Sequence, residues 1–376
     1  MIAGLACAAA VSAQSTQSPP PASTNGSSVE EVVVTGSRLP AANLTSVQPV
    51  TTLSGENLEQ RGLTNLADAI NLSPITGAGI TPAGSQNSFG VGVNYIDLFD
   101  LGSQRTLTLV SGYRYVSDNP TNIFANNGGT QVDLNDLPTL FINRTEIVPA
   151  TGAAVYGSDA IAGVVNAIMR RTYVGEEINV QQGWSTYGDD PHTTVEAAIG
   201  RNFFGNKLNL AVDFQFDKTG TILNSDRPNS AIQYTFAPNP NPNAGSGGIP
   251  AQILVRNNRI SGVTVLGVPY SFYTGNPLTL PGTNTFVQFG PGGNLVPYNT
   301  GALYGACTEE LLFCVESGGS GLNLAPLTTL QTGVDRKVVT ALATYDFTPH
   351  IHFHATFNYA QLDATSLDQP NYAYLG

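Results

Sequence analysis

The chain has 376 residues, a net charge of −12 and 11% charged residues, against roughly 25% in an ordinary soluble domain. The acidic balance argues against a nucleic-acid partner, which needs a basic patch, and no apolar run reaches the ~18 residues of a spanning helix. Three Cys cannot build a disulfide scaffold, and 41% hydrophobic residues argue against disorder throughout. With 40 Gly and 24 Pro, what remains is a chain rich in strands and turns.

Residues 1–13 are small and apolar and end in Val11-Ser12-Ala13. They read as the h-region and cleavage site of a partial secretory signal, although the first cation of the chain is Arg38. A short buried helix is the competing reading. Cys7 leaves with the signal. Residues 14–28 carry no charge and no large apolar side chain, so they form a flexible tether. Val32-Val33-Val34 follows as a short β-branched run within 29–38.

From 39 to 175 the pattern is mixed. Val50–Leu53, Thr106–Val110, Ile142–Val148 and Val164–Ile168 read as strands. Ser54 and Thr64 are candidate N-caps ahead of Glu56–Arg61 and of Leu66, Ala67, Ala69 and Ile70, which have helical spacing. This is a small α+β domain with loops at 77–94 and 116–131.

From 176 onward the period becomes two. Leu208, Leu210, Val212, Phe214 and Phe216 alternate with polar residues, as do Ala341, Ala343, Tyr345 and Phe347, and Ile351, Phe353, Ala355, Phe357 and Tyr359. Strands are expected at about 176–187, 191–202, 206–218, 333–347 and 350–362. An apolar face opposite a polar face, with tight turns at Phe203–Asn206 and Thr348–Pro349 and a long connection over 219–332, is the pattern of a transmembrane β-barrel. A soluble β-sandwich also alternates, but mid-strand Asp and His and such unequal connections weigh against it.

These residues resemble one family. Glu30–Arg38 after a tether is similar to the TonB box of TonB-dependent outer-membrane transporters. Arg105–Val110 with Gly112, then Val132–Pro138, then Arg144–Ile147, then Gly152–Asn166 resemble successive plug-domain motifs in order. The resemblance implies an α+β plug domain followed by an incomplete antiparallel transmembrane β-barrel. About five strands stand here against the 22 of such barrels, so the chain is read as a fragment. Two departures stand out. Asp97-Leu98-Phe99-Asp100-Leu101-Gly102 and Ser111-Gly112-Tyr113-Arg114 lack one arginine and one aspartate that the family usually has. That questions the ionic contacts between plug and wall, not the fold.

The resemblance implies TonB-dependent uptake of a nutrient across the bacterial outer membrane. The implied partners are TonB, outer-membrane lipid and a small-molecule or oligosaccharide ligand, with no cofactor. TonB would contact Glu31, Val32, Val33, Val34, Thr35 and Gly36, an extended segment able to add a strand to a partner's sheet. The plug motif residues Arg105, Gly112, Arg144, Glu146, Gly152, Tyr156, Gly157, Asp159, Gly163 and Asn166 are expected to be structural. Ligand candidates at the plug apex are Gln86, Asn87, Asn94, Tyr95, Asn122, Phe124, Asn126 and Asn127. Amides beside aromatic faces suit a neutral polyhydroxylated ligand; a ferric siderophore, strongly anionic, is the alternative and would be better served by cations.

Cys307 and Cys314, seven apart in the long connection, are a candidate disulfide outside the cytoplasm. His350, His352 and His354 share a strand face, but a metal site lacks a fourth ligand, so they read as lumen-facing polar residues and no metal is expected. Gly77-Ala78-Gly79 does not continue as GxGxxG, and GxSxG, HExxH and CxxC are absent; the chain is not read as an enzyme. A secreted β-rich adhesin explains the Gly/Asn loops but not the ordered plug motifs. A β-sandwich glycosidase lacks an acid pair, and a transducer would need a folded domain before residue 29.

Overall fold

The computed structural model describes residues 50–77, 79–83, 90–118, 131–150, 153–271, 277–305 and 315–367. The signal, the tether and the 29–38 segment lie outside them, as do Cys307 and Cys314.

The first half is built on a five-stranded sheet, β1 (Thr51–Ser54), β2 (Thr106–Val110), β3 (Tyr113–Arg114), β4 (Ile142–Pro149) and β5 (Gly163–Met169), in the order β1-β4-β5-β2-β3. Only β2 and β5 run parallel. Alternation in β5 sends Val164 to one face with Leu107 and Leu109, and Val165 to the other with Ile147. Helices α1 (Gly55–Gln60) and α2 (Leu66–Asn71) cover the Val165 face. In α2, Leu66, Ala67, Ala69 and Ile70 are buried, the stripe that 3.6-residue periodicity dictates. Its N-cap is Asn65, not Thr64: the Asn65 amide oxygen accepts from Ala67 N–H at 2.9 Å. Thr64 is displaced from the cap because its carbonyl is used elsewhere, as described below. Ser54 does cap α1, its hydroxyl accepting from Asn57 N–H at 3.2 Å.

Gly163 shows why a glycine opens β5. Its φ is +150°, and a Cβ there would lie 2.6 Å from the Val148 carbonyl oxygen and 2.8 Å from Leu98 Cδ1. Only glycine meets both demands.

The second half contains β6 (Gly175–Gly183), β7 (His192–Phe203) and β8 (Leu208–Thr219). Then come, among the described residues, nine short strands, β9 (Ile222–Leu223), β10 (Tyr234–Pro238), β11 (Gln252–Arg256), β12 (Asn258–Ile260), β13 (Val287–Phe289), β14 (Leu295–Pro297), β15 (Ala302–Tyr304), β16 (Val315–Ser317) and β17 (Thr329–Gln331). The chain continues with β18 (Gly333–Thr348) and β19 (Ile351–Thr365). The long strands form one antiparallel sheet, β19-β18-β8-β7-β6. Its register stacks side chains in rows. On one face, Ile178, Ala197, Phe214, Val339 and Tyr359 are aligned, with Ile199, Val212, Ala341 and Phe357 beside them. Phe214, Val212, Ile199, Phe357 and Tyr359 are exposed on this face. From Val195 to Phe203 this face runs about 27 Å at ~3.4 Å per residue, comparable to the ~25 Å band of a membrane barrel, with the Arg201–Glu176 ion pair lying on it toward the short-turn end. On the other face, Thr194, Asp217 and Arg336 are aligned, then Glu196 with Gln215, then Asp213 with Thr340 and Asn358. The first domain packs against this polar face, and Ala198, Ala211 and Leu342 join its core.

Residues 204–207 and 349–350 close the hairpins at one end, whereas 184–191 and 220–332 stand at the other. The long connection is more ordered than a Gly/Pro/Asn loop suggests. Its turn residues leave stretches of a few residues, which pair as β9-β17, β10-β11, β12-β16-β15 and β13-β14. Ala237, Val255, Val287, Tyr298 and Leu322 are buried there. Glu316, also buried, accepts from Tyr298 Oη at 2.6 Å and Gly321 N–H at 2.8 Å.

Candidate functional site

The candidate functional region is the seam between the first domain and the polar face of the sheet. Arg336 organises it, at 2% exposure. Its guanidinium has five N–H donors, and five bonds are made. Nε donates to Asp217 Oδ2 at 2.8 Å and Nη2 to the same oxygen. Nη2 also donates to Thr64 O at 3.0 Å, and Nη1 to Asn135 O at 2.9 Å and Leu137 O at 3.4 Å. One end of the fork is thus held by the sheet and the other grips backbone carbonyls of the first domain. Thr64 O also accepts from Gln215 Nε2 at 2.7 Å and Thr139 Oγ1 at 2.8 Å, which is why Thr64 is not a cap. Asn358 Nδ2 donates to Asp136 O at 2.7 Å, and Thr344 Oγ1 to Arg171 O at 2.8 Å.

Behind Arg336 a hydrogen-bonded line runs to the long-loop end of the sheet. Thr194 Oγ1 donates to Asp217 Oδ1 at 2.7 Å and lies 3.0 Å from His192 Nε2. The Thr194 hydroxyl proton is committed to Asp217, so His192 donates through Nε2. His192 Nδ1 lies 3.1 Å from Thr219 Oγ1. His192, Asp217, Thr219 and Arg336, with Asn65, Asp68, Asn94, Asn135 and Gln331, line a cavity of about 170 Å³ between the first domain and the sheet. Burial pushes the Asp68 carboxyl up, against an opposing hydrogen bond from Asn94.

The connections at this end are tied down. Arg227 makes a bidentate pair with Asp189 at 2.6 and 2.9 Å and stacks over Tyr187 at 4.6 Å. That hydrogen bonding holds the Asp189 carboxyl down at about 2. Gln331 Nε2 donates to Asp190 Oδ1 at 3.0 Å, and Thr332 N–H to Pro82 O at 2.8 Å. The foot of the long connection therefore touches both the 184–191 loop and the apex of the first domain.

Of the ligand candidates read from the sequence, Gln86, Asn87, Asn122, Phe124, Asn126 and Asn127 lie outside the described residues. Tyr95 is corrected to an internal position, and Asn94, equally buried, stays at the edge of the cavity. Both are 1% exposed, because segment 90–98 is drawn onto α2 and the 3₁₀ turn at Leu134–Asp136. Asn94 donates to Asp68 Oδ1 at 3.0 Å through Nδ2 and to Asp133 Oδ1 at 2.9 Å through its N–H. Tyr95 Oη donates to Asp118 O. Asn94 borders the cavity; Tyr95 is an internal strut.

Most of the plug motif residues make structural contacts inside the first domain. Arg105 Nη1 donates to Leu101 O at 2.5 Å, and Gly112 N–H to Asn166 Oδ1 at 3.0 Å. Arg144 Nε donates to Glu146 Oε1 at 3.0 Å. Arg114, in one of the departing motifs, bonds Asp159 Oδ2 at 2.7 Å and Tyr156 O at 2.8 Å. Gly157 has φ +90° after helix α3 (Ala153–Tyr156), and Gly152 lies outside the described residues. Of the three strand histidines, His352 Nδ1 meets Asp346 at 2.6 Å and His354 Nδ1 meets Thr344 Oγ1 at 3.2 Å. Among the described residues no three metal-ligating side chains converge. Sequence reasoning missed Arg336 and Asp217. The available signal was charge on the polar parity of two amphipathic strands.

Residues 42–164 match the family model described as the TonB-dependent Receptor Plug Domain. Several solved structures are similar at low identity. A mutant of the ferric enterobactin receptor of Pseudomonas aeruginosa is 17% identical, with a TM-score of 0.48, over 84% of this chain and 33% of that one. The siderophore receptor PirA from Acinetobacter baumannii is 16% identical, with a TM-score of 0.42, over 84% and 40%. The ferric citrate transporter FecA is 13% identical, with a TM-score of 0.40, over 86% and 41%. The matched part thus spans about a third to two-fifths of these structures. With the plug model matched across the first domain, residues 42–164 form the plug domain of a TonB-dependent receptor.

Proposed function

We propose that the chain serves TonB-dependent uptake of a nutrient across the bacterial outer membrane, its ligand arriving from the side of the 184–191 and 220–332 connections. The observation that carries this reading is a plug domain bonded to the polar face of a sheet whose other face is apolar and exposed. A sheet of that kind belongs in lipid, and the plug occupies its lumen side. TonB engages Glu31–Gly36 through backbone pairing and pulls on the plug from the opposite side. Transport of this kind needs no covalent chemistry.

The ligand is a neutral, hydroxyl-rich organic nutrient of glycan type. The described plug surface facing the long connections offers amides and carboxyls, and the cation beside it is consumed by Asp217 and the plug carbonyls. The test is uptake by the source cell carrying Val33→Pro, which removes a ladder donor. Uptake is expected to be lost while ligand binding persists; unchanged uptake sinks the reading. Induction of the gene by iron limitation alone, with no response to any carbon source, would replace the glycan with an iron chelate.

A further inference from the structure

The cavity between plug and wall has a definite chemistry. Its volume of about 170 Å³ is room for several waters or one sugar-sized ring by the measure of a water-sized sphere. Arg336 has no donor left, since all five N–H groups are engaged. His192 has both ring nitrogens against threonine hydroxyls. An anion entering here would meet Asp68 and Asp217, with no free cation among the described lining residues to answer it. Hydroxyl groups fit better. Asp68 commits one carboxylate oxygen to Asn94 and keeps acceptor capacity on the other, while Gln331 uses its amide nitrogen on Asp190 and keeps its carbonyl. Val334 and Pro82 supply an apolar side for ring C–H groups.

We propose that this cavity is a subsite for a neutral, hydroxyl-rich ring of the ligand, with Asp68 and Gln331 accepting its hydroxyls and Arg336 reserved for holding the plug. This rests on the uptake reading above, and it names the part of the ligand that reaches furthest between plug and wall. Because Asp217 and His192 line the same space as Arg336, a ring seated there lies beside the contacts that hold the plug.

The experiment is calorimetric titration of the protein as the source cell makes it, purified in detergent. The probes are neutral gluco-, manno- and xylo-configured di- to tetrasaccharides, with ferric citrate as the anionic probe. At least one saccharide should bind and ferric citrate should not. Ala83→Phe, which narrows the mouth from an exposed position, and Asp68→Asn should each weaken saccharide binding at least tenfold. The Ala83 variant tests occlusion without touching the buried network, so misfolding at Asp68 does not decide the matter. Binding by no saccharide, equal saccharide binding by wild type and the Ala83 variant, or ferric citrate binding abolished by the same variants overturns the subsite. The uptake reading fails on a separate readout: transport that survives Val33→Pro leaves these titrations unchanged.

Discussion

Replacing Arg336 by Ala should release the plug from the wall without unfolding the sheet. The guanidinium is 2% exposed and Asp217 7%. Its removal leaves the Asp217 carboxylate with the Thr194 hydroxyl and takes a donor from each of Thr64, Asn135 and Leu137. Breaking a buried ion pair from one side costs about 3–5 kcal/mol, because the remaining charge stays desolvated. At ~1.4 kcal/mol per tenfold, local opening of the plug should become roughly 10²- to 10³-fold more frequent. Amide hydrogen exchange in the detergent-solubilised protein reads this directly. The amides of α2 and of segment 134–142 should lose protection, and those of β8 and β18 should keep it. Arg336→Lys should give a smaller loss, since an ammonium keeps the charge but not the planar fork. The double variant Arg336→Leu with Asp217→Leu should recover most of the stability, as it leaves no uncompensated charge. The control is Arg201→Ala, whose pair with Glu176 is about 65% exposed on both sides and should matter little. A plug whose opening changes no more in Arg336→Ala than in the control would refute the reasoning.

Gly163→Ala should destabilise the plug by about 2–4 kcal/mol, from its positive φ and the contact at 2.6 Å with Val148 O; thermal melting of the plug checks it. Asn65→Ala should cost about 1 kcal/mol by removing the cap of α2, read as a lower denaturation midpoint. Phe214→Arg, in the middle of the apolar face, should cost about 2–4 kcal/mol of membrane stability, measured by urea unfolding in lipid. Burial raises the carboxyl of Asp133 to about 6 and, with Asp133 and Asp118 beside it, that of Asp136 to about 7. Both shifts are upward, so the folded plug holds protons that the unfolded chain releases. Their stabilisation is present below about pH 4 and is lost as pH rises through 7. Asp136→Asn should flatten the fall in plug melting temperature between pH 5 and pH 8, and an unchanged slope would remove Asp136 from the account.

The long strands were legible because a period of two sustained over nine residues has no competing reading: Leu208–Phe216 and Ile351–Tyr359 show it residue by residue. The short strands β9–β17 were not, since pairings of two to five residues carry little periodicity and are selected by turns closing at a distance. Helix α2 was legible from Leu66, Ala67, Ala69 and Ile70, but its cap was not, because Thr64 and Asn65 are both good caps locally. What separates them is Thr64 O accepting from Arg336, 272 positions away in sequence. Tyr95 failed for a similar reason. An aromatic among Asn and Gly resembles a binding loop, and only the contact with Asp118 makes it a strut.

The way the wall holds the plug bears on how the plug is released. Near Arg336 the wall grips main-chain carbonyls: Thr64 O just before the cap of α2, and Asn135 O and Leu137 O at the end of a 3₁₀ turn. Such carbonyls lack partners within the turn, and water can replace the wall as their donor. Each exchange of partner therefore costs only about 0.5–1.5 kcal/mol. The Asp217–Arg336 pair is a different case, since both residues belong to the sheet. Withdrawal of the plug leaves it intact and adds water to it. Three carbonyl contacts at about 1 kcal/mol each thus set a modest cost for lifting this part of the plug. A plug–wall salt bridge would strand a charge on each side. An attachment through carbonyls also tolerates change in plug side chains, which is how the departing motifs at Asp97–Gly102 and Ser111–Arg114 coexist with a seated plug. Their own charges are used within the plug, as in Arg114 with Asp159, and the wall does not depend on them.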